Sequence, residues 1–293
     1  MNELRGAGVA LVTPFNTDGT VDFESLAKLI DFQIDGGIDY LVVLGTTGET
    51  ATLTAEERKQ IWTFTSEKVN GRIPLVAGIG GNNTYEIANQ VAEFDIQGYC
   101  AILSVSPYYN KPTQEGIYQH YKAIALASKL PIILYNVPGR TGSNLSPATT
   151  VRLAKDFDNI VATKEASGSF AQFNEIMRDK PADFLLISGD DPATLPMMAL
   201  GAVGIISVVG NAYPAEVTAL TKYCAQDDYA TARPIHNKLL RITDLCFIEA
   251  NPCGVKYILQ EKGVIAHDSL RLPLLPVGKA TQDAIKAEIA LIG

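Results

Sequence analysis

Histidine is scarce in this chain of 293 residues: His120, His236 and His267 are the whole complement, and none stands near another or at metal-ligand spacing from carboxylates. A metal-dependent mechanism loses ground accordingly. The four cysteines, Cys100, Cys224, Cys246 and Cys253, show no CxxC spacing and sit in apolar contexts, so buried free thiols are expected in place of a disulfide framework or zinc site. No apolar run approaches the length of a membrane span. The opening segment MNELRGAGVALVTPF has too short an apolar stretch, and no small-residue cleavage signature, for a secretory signal. A cytoplasmic protein without membrane contact is the expectation. Basic residues are scattered through a chain of formal net charge -8, which leaves no electrostatic footprint for nucleic acid. Low-complexity blocks are missing too, and 47% hydrophobic with 19% charged residues is the balance of an ordered globular chain.

What is present is a rhythm. GVALV, YLVVL, IPLVAGI, CAILSV, PIILY, NIVATKE, FLLIS and VGIISV are eight short strand-like runs. Between them lie helical patterns such as Phe23 to Asp35, Ala55 to Val69, Tyr85 to Phe94, Gly116 to Ser128 and Pro147 to Phe157. Asp22, Thr54, Thr84 and Ser146 read as N-caps, because a short side-chain oxygen accepts from the unpaired amides of a first helical turn. Strands flanked so regularly by helices require parallel pairing with both faces covered. The fold class is α/β, and eight units predict a (β/α)8 TIM barrel; a doubly wound open sheet is the alternative, since pattern alone does not prove closure. From about Asp227 the strand rhythm stops. Tyr229 to Leu245, Pro252 to Glu261 and Thr281 to Ile292 read as helices, which divides the chain into a barrel over 1-226 and a C-terminal helical appendage over 227-293. Such an addition is expected to serve packing or assembly.

In a barrel of this kind functional residues gather at strand C-termini and in the loops that follow. Unusual residues do collect there: Gly45-Thr46-Thr47-Gly48-Glu49, Pro107-Tyr108-Tyr109-Asn110-Lys111-Pro112, Tyr135-Asn136-Val137-Pro138-Gly139-Arg140-Thr141-Gly142, Lys164-Glu165-Ala166-Ser167-Gly168, Ser188-Gly189-Asp190-Asp191 and Ile206-Ser207. Period two puts Ile160, Ala162 and Lys164 on one face, and if that face points inward the amine sits at the mouth of an apolar barrel. Burial disfavours an ammonium and exposes the lone pair that attacks a carbonyl. A strand-end lysine more commonly snorkels to the rim or pairs with an acid, here Glu165 or Asp190. Tyr135 closes the adjacent strand on the same parity, where its phenol relays protons to an adduct on the lysine, with Thr47 as a second hydroxyl; a core aromatic with a satisfied hydroxyl is the bland counterpart. The Gly45 to Gly48 turn offers amides and hydroxyls to a carboxylate without the ending of a nucleotide P-loop, and Ala77 to Asn82 lacks the full dinucleotide fingerprint. Arg140, after a Pro-Gly turn, presents a planar guanidinium either to a second carboxylate or to solvent.

Taken in order, GTTGE at 45 to 49, PYYNKP at 107 to 112, YNVPGRTG at 135 to 142, KEASG at 164 to 168 and SGDD at 188 to 191 resemble the dihydrodipicolinate synthase family across essentially the whole chain. That family belongs to the pyruvate-dependent class I aldolase superfamily, with N-acetylneuraminate lyase. The resemblance implies condensation of pyruvate with L-aspartate 4-semialdehyde to give 4-hydroxy-tetrahydrodipicolinate, the first committed step of the diaminopimelate route to lysine, with no metal or organic cofactor. It implies that Lys164 forms the pyruvate Schiff base and that Thr47, Tyr109 and Tyr135 make the proton relay, Tyr109 coming from a neighbouring subunit of a homotetramer built as a dimer of dimers. Thr46 and Thr47 are then expected to hold the pyruvate carboxylate, Arg140 the carboxylate of the aldehyde, and Gly189 and Ile206 to shape the pocket through their backbone. Positions matching the family's lysine-inhibition site are Thr50, Ala51, Ala55, Arg58, Asn82, Glu86 and Tyr108. Ala55 and Arg58 stand where sensitive members often carry histidine, which bears on the strength of inhibition.

Arg140 in its GRTG setting separates the chain from sialic acid lyases, and GTTGE in place of GSTGE agrees. Aldolases of 2-keto-3-deoxy sugar acids are nearer competitors. A non-catalytic barrel that binds a keto acid and regulates a partner is a reading of another class, and a metal-dependent aldolase a third.

Overall fold

The structure is a computed structural model and describes residues 1–292. Eight parallel strands close on themselves: β1 (Gly6–Ala10), β2 (Tyr40–Val43), β3 (Leu75–Gly78), β4 (Tyr99–Val105), β5 (Ile132–Asn136), β6 (Ile160–Glu165), β7 (Leu185–Ser188) and β8 (Gly204–Ser207). Closure is direct, because β1 pairs with β2 through Gly8 and Tyr40 and with β8 through Gly6 and Gly204. The open doubly wound sheet is thereby excluded. Helices α1 (Phe23–Asp35), α2 (Ala55–Val69), α3 (Thr84–Glu93), α4 (Gln114–Ala127), the short α5 (Pro138–Thr141), α6 (Pro147–Asp156), α7 (Phe170–Asp179), α8 (Thr194–Ala199) and α9 (Pro214–Ala225) accompany the strands, and α10 (Tyr229–Phe247), α11 (Cys253–Glu261) and α12 (Lys279–Ile292) follow.

Alternation along each strand sorts side chains into two cores. Inside the barrel, Ala10, Tyr40, Val42, Val76, Leu103, Ile133, Ala162, Ile187 and Ile206 pack with Tyr135 above them. Outside, Val9, Leu41, Ile102, Leu134 and Ile205 meet the helices in a layer that continues through Leu239, Ile242 and Leu245 of α10 into Tyr257, Ile258 and Ile285. Gly8 is small for a reason: a Cβ there would lie 2.3 Å from the Tyr40 ring, which fills the barrel floor.

Two expectations need correcting. The period-two assignment on β6 fails at its start, because the pairing steps from Ile132↔Ile160 to Ile133↔Ala162 and skips Val161. This irregularity sends Ile160 to the outer layer while Ala162 and Lys164 keep the inward parity. Asp22, Thr54 and Ser146 do cap their helices, Thr54 in a reciprocal box with Glu57. Thr84 does not. Asn83, one residue earlier and in extended geometry, caps α3, and the Thr84 hydroxyl meets His120 Nδ1 at 2.9 Å instead.

Candidate active site

Lys164 and Tyr135 are direct lateral partners on β6 and β5. The lysine is 5% exposed, and its Nζ lies 4.4 Å from the centroid of the Tyr135 ring, itself 6% exposed. Neither acid proposed as a partner takes the amine: among the described residues Lys164 makes no ion pair. Glu165 points the other way along the alternation and is saturated by Asn136 Nδ2, at 3.1 Å from both oxygens, Ser167 N at 2.7 Å and Gln172 Nε2 at 2.9 Å. Gly189 presses on the lysine stem, since a Cβ there would stand 3.0 Å from both Lys164 Cγ and Cε and 2.8 Å from Ala166 Cβ. The backbone of β7 thus walls the amine on one side and Tyr135 on another. Ile206 packs in the inner core and is 1% exposed. Burial pushes the Asp191 carboxyl up, opposed by its hydrogen bonds from Ser207 Oγ and Val208 N and by the charge of Lys164.

The end of β2 is strained. Leu44 and Glu49 adopt φ of 62° and 52°, flanking the turn that presents Thr46 and Thr47. Several bonds hold it. Thr13 Oγ1 donates to Gly48 O at 2.8 Å, Thr50 Oγ1 to Leu44 O at 2.6 Å, and Lys256 Nζ of α11 to Glu49 Oε1 at 2.5 Å. Lys256 is fully buried, donates also to Ser269 O, and stands 4.2 Å over the Phe15 ring; burial pulls this amine down while Glu49 pulls it up. Arg271 completes the clamp. Its amide donates to Glu49 Oε2 and its guanidinium forks onto Glu57 at 2.9 and 2.5 Å. The appendage, expected to serve packing or assembly, therefore reaches the rim at the end of β2. It does so most closely at Asn251, whose Nδ2 donates to Thr47 Oγ1 at 2.9 Å. No hydrogen bond of 3.5 Å or less joins Thr47 to Tyr135 within the chain. Asn251, Lys256 and Arg271 carry no motif; the one signal in the sequence is a lone lysine within the apolar stretch CGVKYIL.

A cleft of about 570 Å³ opens over the β2 to β5 side of the barrel. Thr46, Tyr135 and Arg140 line it, and so do Thr50, Ala51, Arg58, Asn82, Glu86 and Tyr108. Six of the seven positions assigned to lysine inhibition therefore share one hollow with Thr46, Tyr135 and Arg140, whereas Lys164, Thr47 and Ala55 do not line it. Arg140 is exposed on α5; its amide donates to Val137 O at 2.9 Å, while its guanidinium makes no hydrogen bond or ion pair among the described residues. Tyr109 does not line the cleft. It is 89% exposed, at φ 73°, and its amide reaches Thr141 O at 3.4 Å. All four cysteines are free thiols, three buried and Cys100 half-buried. Among the described residues no three His, Cys, Asp or Glu side chains gather as metal ligands.

The profile of the Dihydrodipicolinate synthetase family matches residues 3–291. The chain belongs to this family. It is similar to the 4-hydroxy-tetrahydrodipicolinate synthase of Parabacteroides distasonis, at 53% identity over 97% of this chain and 95% of that one. Among solved structures, it is similar to a chloride-inhibited dihydrodipicolinate synthase from Acinetobacter baumannii complexed with pyruvate, at TM-score 0.96 and 41% identity, covering 99% of both chains. A second, from Cyanidioschyzon merolae with lysine bound, gives TM-score 0.95 at 36% identity, again over 99% of both. Membership extends through the appendage, so the clamp on the β2 rim lies inside the family's span.

Proposed function

We propose that this chain is a lyase that condenses pyruvate with L-aspartate 4-semialdehyde to give 4-hydroxy-tetrahydrodipicolinate. The observation that carries the reading is the Lys164 amine, buried and free of any carboxylate partner beside the ring of Tyr135, which in turn lines a cleft with Arg140. The amine attacks the pyruvate ketone, and loss of water from the carbinolamine gives the imine. Removal of a methyl proton yields the enamine, whose carbon attacks the aldehyde. The aldehyde substrate's own amine then attacks the imine carbon, closes the ring and releases Lys164. Each step moves a proton, and Tyr135, Thr47 and a neighbouring subunit's Tyr109 supply the hydroxyl chain that carries it.

Thr46 and Thr47 hold the pyruvate carboxylate, Arg140 the carboxylate of the aldehyde, and the backbone at Gly189 and Ile206 sets the pocket's width. No metal or organic cofactor is needed, because the covalent imine supplies the electron sink. Exposure of Tyr109 supports a homotetramer in which pairs of subunits exchange this residue. Residues 1–226 carry the reacting groups, residues 227–293 brace them, and the protein works in the cytoplasm. Free lysine inhibits from the neighbouring end of the cleft, where Glu86, Asn82 and the Tyr108 hydroxyl meet its amine and carboxylate; steady-state rates indifferent to millimolar lysine would remove that claim.

Borohydride reduction in the presence of pyruvate, followed by peptide mass mapping, is the test. A pyruvate-derived adduct on Lys164 is expected, and an unmodified Lys164 overturns the reading in favour of a non-covalent keto-acid binder. Supplying aspartate semialdehyde and sugar-derived aldehydes side by side then distinguishes the synthase from a sugar acid aldolase or lyase of the same superfamily.

A further inference from the structure

Between α10 and α11 the chain makes a short, awkward passage through Glu249, Ala250 and Asn251. Ala250 adopts φ 91°, a conformation that side chains with a Cβ rarely take. It is held from both sides. Glu249 accepts from Gly278 N at 3.2 and 3.0 Å and from Thr281 Oγ1, which anchors the passage to the start of α12. Asn251 is 5% exposed and lines the cleft together with Ala250, Thr46, Tyr135 and Arg140. Its Nδ2 donates to Thr47 Oγ1, whereas its buried Oδ1 has no partner. Among the described residues, the bond to Thr47 is therefore the only one this side chain makes. A side chain retained to knit the backbone would spend both ends on it.

A threonine hydroxyl has one proton to give and two lone pairs to receive. By accepting from the amide of Asn251, Thr47 keeps its own proton for another acceptor. A carboxamide does not ionise, so with Nδ2 facing Thr47 the direction of this bond does not change with pH. We propose that Asn251, delivered by the helical appendage, is a positioning residue that sets the polarity of the Thr47 hydroxyl and hence the direction in which protons pass between Thr47 and Tyr135. The inference rests on the Schiff-base reading above.

Asn251→Asp is the decisive variant because it keeps the shape and reverses the bond: an ionised carboxylate only accepts, and it takes the Thr47 proton. Turnover is measured per site trapped by pyruvate and borohydride, so that misfolded protein is not counted. Glu49, Lys256 and Glu249 on the rim, Tyr135 and Arg140 in the cleft, and Lys164 beside Tyr135 are common to variant and wild type, so a difference between their pH profiles reports position 251. Trapping at Lys164 is expected to reach completion with pyruvate KM little changed. The kcat per site falls about 100-fold near neutral pH and recovers as the pH is lowered, when the protonated carboxyl donates again. A kcat per site within threefold of wild type, or a loss that does not change with pH, overturns the proposal. If Asn251→Asp does not fold, Asn251→Ala is measured the same way: a loss of about tenfold or more in kcat per site is expected, and an unchanged value overturns the proposal. Failure of wild-type protein to trap pyruvate is a different result and overturns the underlying reading.

Discussion

The loop after β2 and the loop after β4 both carry hydroxyl-bearing side chains and non-glycine residues at positive φ, yet they are secured in different ways. Around Thr47 the strain at Leu44 and Glu49 is met by Lys256, Arg271 and Asn251, all from the same polypeptide. Around Tyr109 and Lys111 the strain is met by hydrogen bonds of the loop backbone, from Asn82 to Tyr108 O, from Ser143 to Pro107 O and from Tyr109 N to Thr141 O, with no ion pair or appendage hydrogen bond among the described residues, and the tyrosine stands 89% exposed. On the reading proposed above, one half of the relay is finished within the chain and the other needs a neighbour.

Experiments can break or sharpen that contrast. The largest loss is expected from Lys164→Ala, which removes the amine both loops serve and should abolish turnover while circular dichroism stays that of wild type. Dissociation comes next, because it strikes only the β4 loop: a dilution series should lose its activity as subunits separate, and a fully active monomer at nanomolar concentration contradicts the role of Tyr109. Tyr135→Phe is expected to slow the reaction by about two to four orders of magnitude, the span of a lost general acid or base. Wild-type rates from that variant refute its role. Lys256→Met attacks the intrachain clamp and leaves Glu49 buried without its cation, at a cost of about 3–5 kcal/mol read by urea unfolding; adding Glu49→Leu should recover much of it. The smallest effect concerns Glu57, held at about 2 by the Arg271 guanidinium. Its folded value lies below the unfolded one, so the stabilisation is complete above the usual carboxylate range and is lost as pH falls toward 2. Glu57→Gln should flatten that acid limb of the melting temperature.

Eight strands and the inward parity of Lys164 and Tyr135 were legible because apolar alternation is a local pattern with global meaning. Ile160 was misread since a skipped residue in the β6 pairing is a property of two strands together, invisible in either alone. Thr84 lost its cap to Asn83 because neighbouring residues of equal capping ability differ only in where the chain turns. The contribution of the appendage was missed for a deeper reason: Asn251 meets Thr47 from 204 positions away, and no short-range spacing announces it. Glu49 belonged to a visible motif, but its partner was only a lysine out of place in an apolar helix.

That separation along the chain has a consequence in time. Thr47 and Glu49 leave the ribosome well before Asn251, Lys256 and Arg271, whose contacts with them span 204 to 222 positions. A nascent barrel can wind its strands, but the β2 rim is not clamped until those three residues have emerged, so a chain halted before them leaves Thr47 and Glu49 without their distant partners.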